Sequence, residues 1–268
     1  MSHFIRIKHT IRTTVILLLT LYFGIILALN IPFVQRRLSV IASNELSKLF
    51  HTEVTIGNID LGLLNRIIIT NLRVKDQQGA DLLYIARFSA KVDVPALTHQ
   101  KIRINSVQLF GMNARLQKTT PASAPNFQFI LDALASKDTV PKENHIDLRI
   151  NSILIRRSHL SYDLLTAPST PGKFNTNHID INDLSAMLSL KALTSDSINA
   201  HIRRMSFTEH SGFRLNQLSV GVMCNRHSLN TLKFTAELPH STLKIDTLAA
   251  QFTDISQLTS LSDTLVYR

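Results

Sequence analysis

From His51 onward one eight-residue template recurs along the chain: apolar, any, apolar, two of any kind, apolar, any, apolar. It aligns nine times, with first residues Val54, Ile67, Leu83, Ile102, Leu148, Ile179, Ala200, Phe213 and Leu243. Alternation at period 2 marks a strand with one buried face, and a slip of one residue would turn the second half to the other face. The middle pair is polar or turn-prone in Gly57-Asn58, Thr70-Asn71, Asn105-Ser106, Asn151-Ser152 and Asn182-Asp183. A bulge at that joint returns both apolar halves to one side and curves the sheet. The spacing therefore predicts a mainly β fold, a curved antiparallel sheet with one apolar face. "DQQGAD" (76 to 81), "PALTHQ" (95 to 100), "TAPSTPG" (166 to 172) and "EHSG" (209 to 212) are turn material, which makes a meander the simplest topology. "RINSVQLFGMNARL" (103 to 116) returns 46 positions later as "RINSILIRRSHLSY" (149 to 162), one version of the same joint.

Two helices of a different period interrupt or precede this pattern. In "VQRRLSVIASNELSKLF", Val34, Leu38, Ile41, Leu46 and Leu49 share one face, so residues 36–50 are expected to form an amphipathic helix. It packs on the end of the sheet or lies in a membrane interface. "NFQFILDALASK" (126 to 137) offers Asn126 as an N-cap and Phe127, Ile130, Leu131 and Leu134 at helical spacing, and is expected to cover part of the sheet face.

The stretch from Thr13 to Gln35 carries no charge. At about 1.5 Å per residue it could span a hydrocarbon core of roughly 30 Å. Its anchor residues would be Val15, Ile16, Leu17, Leu18, Leu19, Leu21, Phe23, Ile25, Ile26, Leu27 and Leu29. A cleaved signal peptide is the competing reading, since Arg6, Lys8 and Arg12 resemble a positive n-region, but Leu29-Asn30-Ile31-Pro32-Phe33 offers no small-x-small cleavage site. The same basic residues place residues 1–12 on the cytoplasmic side of a single-pass anchor over 13–35.

Composition narrows the chemistry. The 268 residues are 44% apolar, enough for a folded body, and the net charge of +10 is scattered rather than gathered into a stripe. With 6% aromatic residues and no Trp, nucleic-acid binding is not expected. Cys224 is the only cysteine, which excludes an intrachain disulfide. No nucleophile elbow, phosphate loop, dinucleotide fingerprint or zincin motif is present, and no two histidines stand at i,i+4. Cys224 with His227, His201 and His210, and Asp76 with Asp81 all read more simply as turn or surface residues. No catalytic, metal or cofactor-binding residue is assigned, and an enzyme is not expected.

The order of parts resembles a known family. A membrane helix followed by "LNIPFVQRRLSVIASNELSKLFHTEVTIGNIDLGLLNRIIITNLRVKDQQGADLLYIARFSAKVDV" and "KIRINSVQLFGMNARLQK" looks like the N-terminus of the TamB and AsmA-like envelope proteins of Gram-negative bacteria. "NFQFILDALASK" and "RINSILIRRSHLSYD" are similar to the Bacteroidetes type of translocation and assembly module TamB. The resemblance covers residues 1 to about 250 and rests on apolar spacing around "IGNIDL" and "DQQGADLL". It implies an inner-membrane anchor and, over residues 51–268, a periplasmic β-taco whose apolar groove belongs to the bridge-like lipid-transfer superfamily. It further implies roles in outer-membrane biogenesis and protein secretion, and an Omp85-type, BamA-like barrel as partner. TamB-like chains are usually much longer. Nine strands about 4.8 Å apart extend roughly 40 Å, so this chain is either a piece of a longer protein or acts at the inner membrane alone.

Two functions follow as expectations. In the first, phospholipid acyl chains lie in a groove lined by Ile67, Ile69, Ile85, Ile104, Leu109, Ile150 and Ile155. In the second, the sheet closes on a dry core and an exposed strand edge recruits an outer-membrane partner by strand addition.

Overall fold

The computed structural model describes residues 2–62, 65–92, 103–134, 149–193, 197–225 and 227–253. Helices α1 (Ser2–Leu29) and α2 (Pro32–Phe50) lead into β1 (Val54–Gly62), β2 (Arg66–Lys75), β3 (Asp81–Val92) and β4 (Arg103–Lys118). A short helix α3 (Gln128–Leu134) precedes β5 (Arg149–Leu164), β6 (His178–Leu193), β7 (Ser197–Glu209), β8 (Arg214–Asn225), β9 (Ser228–Glu237) and β10 (Thr242–Gln251). The ten strands form one sheet in chain order.

The expected antiparallel meander needs one correction. β4 and β5 are parallel, and the sheet is mixed. A parallel neighbour requires the chain to return to the starting end, which takes a dozen or more residues. The segment with "TTPASAP" and α3 supplies that return. The repeated sequence explains the register: Arg103 faces Arg149, Ile104 faces Ile150, and every pair down to Lys118 and Leu164 is offset by 46. Like residues stand side by side, with Asn151 Nδ2 donating to Asn105 Oδ1 at 3.5 Å.

The polar joints behave as the template requires. The fully buried positions of β1 run Val54, Ile56, then Ile59, a change of phase across Gly57-Asn58. Asn71 and Asp183 adopt left-handed backbone conformations (φ 53° and 52°). Register shifts occur at Asn105, at Asn151-Ser152 and around Asn182-Asp183. Gly57 stands opposite Asn71, and a Cβ there would meet the Asn71 Cβ at 3.0 Å and the Thr70 carbonyl at 3.1 Å. A larger residue fits this close approach only if its neighbours give way by a few tenths of an ångström. Gly111, at φ 60°, continues the same transverse crease on β4, and Arg157, at φ 51°, continues it on β5.

The helices depart further from expectation. Proline disfavours helical geometry in the residue before it, and Ile31 is extended (φ −66°, ψ 130°) with Pro32 opening α2. Residues 13–35 are therefore not one helix: the uncharged part of α1 ends at Leu29, about 25 Å of rise for residues 13–29. Among the described residues no helix meets the length and hydropathy of a membrane crossing, so the expected transmembrane segment is not supported. α2 lies along β1 with Val34, Leu38 and Leu46 half-buried, whereas Ile41 and Leu49 are exposed. Serines replace them on the contact face because α2 meets a strand edge, whose backbone needs hydrogen bonds. Of the helix expected over 126–137, α3 is the described part, residues 135–137 lying outside the described residues, and it packs on the end of α2, with the Phe129 ring edge-on to Phe50 at 6.3 Å. Asn126 does not cap it. Its side chain accepts from the Gln117 N–H and donates to the Arg115 carbonyl, pinning the loop to β4.

Candidate functional site

The apolar halves of successive strands line up in rows across the sheet. Ile59, Ile69, Phe88, Leu109, Ile155, Ala186, Met205, Leu218, Ala236 and Leu243 are successive ladder partners from β1 to β10. Beside them Leu61, Ile67, Ala90, Val107, Ile153, Leu188, Ile202 and Val220 form a second unbroken row over β1 to β8. Ladder partners point to the same face, and strands lie about 4.8 Å apart, so ten of them carry this apolar surface over roughly 43 Å.

Six of the seven groove residues expected from sequence fall in three such rows. Ile69, Leu109 and Ile155 belong to the first, Ile67 to the second, and Ile104 and Ile150 pair directly in a third with Val92 and Leu190. All six are half-buried. Ile85 lies beside Leu72 and Met112 across the crease and is buried. Ile102 and Leu148, which open two of the templates, lie outside the described residues.

None of the described helices crosses this face: α2 follows the β1 edge and α3 the end of α2. The chain exposes 18802 Å², where a compact protein of 30.1 kDa exposes about 11,700 Å². Part of the excess is α1, whose apolar side chains are exposed on every side, from Val15 at 48% to Leu27 at 71%. Of the expected anchor residues, only the side chains of Ile26 and Leu29 are not described.

The two edges differ. Along β1, Ser47 Oγ accepts from the Val54 N–H (2.9 Å) and Ser43 Oγ from the Ile56 N–H (3.0 Å), while Asn30 Nδ2 donates to the Leu61 carbonyl (2.8 Å). The spacing of 43 and 47 places both hydroxyls on one face of α2, over alternate residues of the strand. β10 has no strand beyond it in the described sheet, with Leu243 54% and Leu248 46% exposed.

Polar groups gather on the ends of the middle strands. Asn113, His159 and Asp180 form a relay over β4 to β6, Nδ1 of His159 lying 3.2 Å from Asn113 Oδ1 and Nε2 2.7 Å from Asp180 Oδ1. The 46-residue offset that aligns the repeats also pairs Asn113 with His159, a signal present in the sequence but not used. His178 faces Asp163 Oδ1 and the Ala167 carbonyl, both at 3.0 Å. The Asp163 hydrogen bond, reinforced by that carbonyl, raises its pKa. Burial pushes the Glu209 carboxyl up, but hydrogen bonds from the Ser211 hydroxyl, the Ser211 N–H and the Asp180 N–H outweigh it, and the group titrates below its usual value. Cys224 and His227 engage backbone carbonyls, those of Asn225 and Thr253. Asp76 Oδ1 accepts from the N–H groups of Gln78 and Ala80, the expected turn.

Comparison with models of protein families, with curated proteins and with solved structures finds no match to this chain.

Proposed function

We propose that this chain handles lipid at the bacterial inner membrane, holding phospholipid acyl chains against the apolar face of its sheet in the service of outer-membrane biogenesis. The observation that carries the reading is the pair of unbroken apolar rows on a face that no described element covers. Contiguous apolar surface of this extent marks an interaction site, and acyl chains need only a continuous apolar track, without residue-specific contacts. The apolar side chains that α1 exposes from Val15 to Leu27 rest against the membrane, and the sheet stands on the periplasmic side. The resemblance to TamB and AsmA-like proteins accords with this arrangement and suggests an Omp85-type barrel as the partner in protein secretion. The protein acts without catalysis.

A photo-crosslinking side chain at Leu109, on the apolar face, and a control at Arg87, which is exposed, test the reading by mass spectrometry of the captured species. Phospholipid is expected at 109 and not at 87. A folded protein that captures none at either position sinks it. The open β10 edge favours a second reading, a non-enzymatic scaffold that recruits its partner by strand addition. In that case a peptide, rather than lipid, is captured at Leu248.

A further inference from the structure

We infer that the fold assembles a docking band for an acidic polypeptide segment of a partner protein. Its residues are Arg87, Arg156, Arg157, Arg203, Arg204 and Lys233, all exposed. Charge that looks scattered along the sequence is gathered here by register. Arg87 and Arg156 are joined through Phe110 in one ladder, one residue off the row of Phe88, Leu109 and Ile155. Both therefore lie on the face opposite the apolar rows. Arg204 is on that face too, as the partner of Met187, which pairs with Leu154 two residues before Arg156. Ser219 and Val220 of β8 lie between Arg203-Arg204 and Lys233 in the two adjoining registers. Every second strand from β3 to β9 thus contributes basic residues near one line, at intervals of about 10 Å over roughly 29 Å.

Two observations separate this band from an ordinary solvated surface. None of the six joins an ion pair among the described residues, although Asp183 and Asp246 stand in the joints of β6 and β10. Toward the far ends of the strands basic groups are matched, Lys75 by Glu53 and His178 by Asp163. The second observation is backbone strain. Arg157 and Lys233 both hold left-handed conformations (φ 51°), where the other joints use Asn71, Gly111 and Asp183. Asn, Asp and Gly accept that conformation readily, and longer side chains adopt it at a cost. A long basic side chain is kept at two positions where a short one suits the backbone better, which points to a use for its charge.

Five of the six are arginines, whose planar fork binds carboxylates in pairs of hydrogen bonds. A bilayer is the poorer occupant. α1 meets the sheet at Leu61, whose carbonyl accepts from Asn30, and the joint of β1 at Gly57 lies four residues, about 13 Å, along the strand. That exceeds the screening length of about 8 Å at physiological salt. Nucleic acid needs exposed rings for stacking, and Phe110, between Arg87 and Arg156, is half-buried. An acidic helix, by contrast, repeats a carboxylate every seven residues at about 10.5 Å, close to the spacing of the band.

The band and the lipid reading fail separately, since Leu109 lies on the other face. The test titrates the full chain in neutral detergent with a fluorescent ten-residue glutamate peptide, which spans about 33 Å when extended. Saturable binding that weakens with added salt is the expected result. Arg157→Asn with Lys233→Asn should lower the affinity at least tenfold while the urea midpoint does not fall, because asparagine suits the left-handed backbone. Lys173→Gln with Arg214→Gln removes the same charge from exposed positions at the far ends of the strands and should change the affinity less than twofold. Equal losses in the two double variants would reduce the effect to net charge and overturn the inference. Undiminished binding in a folded Arg157→Asn, Lys233→Asn variant overturns it as well. Micelles doped with phosphatidylglycerol should leave the peptide bound; displacement of the peptide by them would replace the acidic partner with an anionic lipid surface.

Discussion

β1 and β10 bound the same sheet and meet opposite fates. α2 seals β1 with Ser43, Ser47 and Asn30, whereas β10 has no strand beyond it among the described residues and carries exposed Leu243 and Leu248. Burial follows the same gradient. Of the fourteen buried apolar residues among those described, nine lie on β1 to β4 and none on β9 or β10. An unpaired edge invites pairing with another chain, so the sheet can extend in only one direction. The sealed end holds most of the buried core, and in the scaffold reading a partner strand would dock at the other.

The largest effect that would break this comparison is a core truncation at each end. Leu82, 2% exposed on β3, should cost about 3 kcal/mol when changed to Ala. Leu248→Ala at the open edge should change stability by less than about 0.5 kcal/mol. Urea unfolding of the two variants measures both, and equal losses would mean the gradient does not govern stability.

Removing the seal is next. Ser43→Val with Ser47→Val leaves the Val54 and Ile56 N–H groups without acceptors, a loss of about 2 kcal/mol in total. The exposed β1 edge should then self-associate, which analytical ultracentrifugation detects as a concentration-dependent dimer. A variant as stable and monomeric as the parent would show that the serines do not close the edge.

The crease gives a smaller and sharper test. Gly57→Ala forces its new Cβ to within 3.0 Å of the Asn71 Cβ and should cost about 1 kcal/mol. Asn71→Gly removes the opposing Cβ and accepts the left-handed φ of 53°, so the double variant should recover part of the loss. Additive losses would place the strain elsewhere.

Much of this sheet was legible because its face is set by apolar spacing. The joints at Asn71, Asn151 and Asp183 could be placed from polar pairs alone, and so could the turn at Asp76. Strand direction could not. The repeated Arg-Ile-Asn-Ser has the same alternation whether its copies run parallel or not, and only the return through α3 decides. β9 escaped the template because its bend falls at Lys233, at φ 51°, with Leu229 the only apolar residue before Leu232. The contact face of α2 was half wrong, since apolar periodicity seeks an apolar partner and α2 meets backbone donors instead.

The smallest expected effects lie between the two ends, where His178 and Glu209 titrate in opposite senses. The raised pKa of His178 means that its protonated form is favoured by folding through Asp163 and the Ala167 carbonyl. Its contribution is complete below the unfolded value near 6.5 and fades as pH rises through the folded one. Glu209 is lowered, so its contribution is present above the ordinary carboxylate range and fades as pH falls through its folded value. Urea midpoints should therefore decline gently on both sides of a mildly acidic maximum. His178→Gln should flatten only the arm above about pH 6.5 and Glu209→Gln only the arm below about pH 4.3. Because His178 keeps 23% of its side-chain surface in water, solvent screening holds the alkaline arm to the smaller slope. A His178→Gln variant with an unchanged alkaline arm would show that the clasp between β5 and β6 is held by the loop itself, leaving the edges alone to distinguish one end of the sheet from the other.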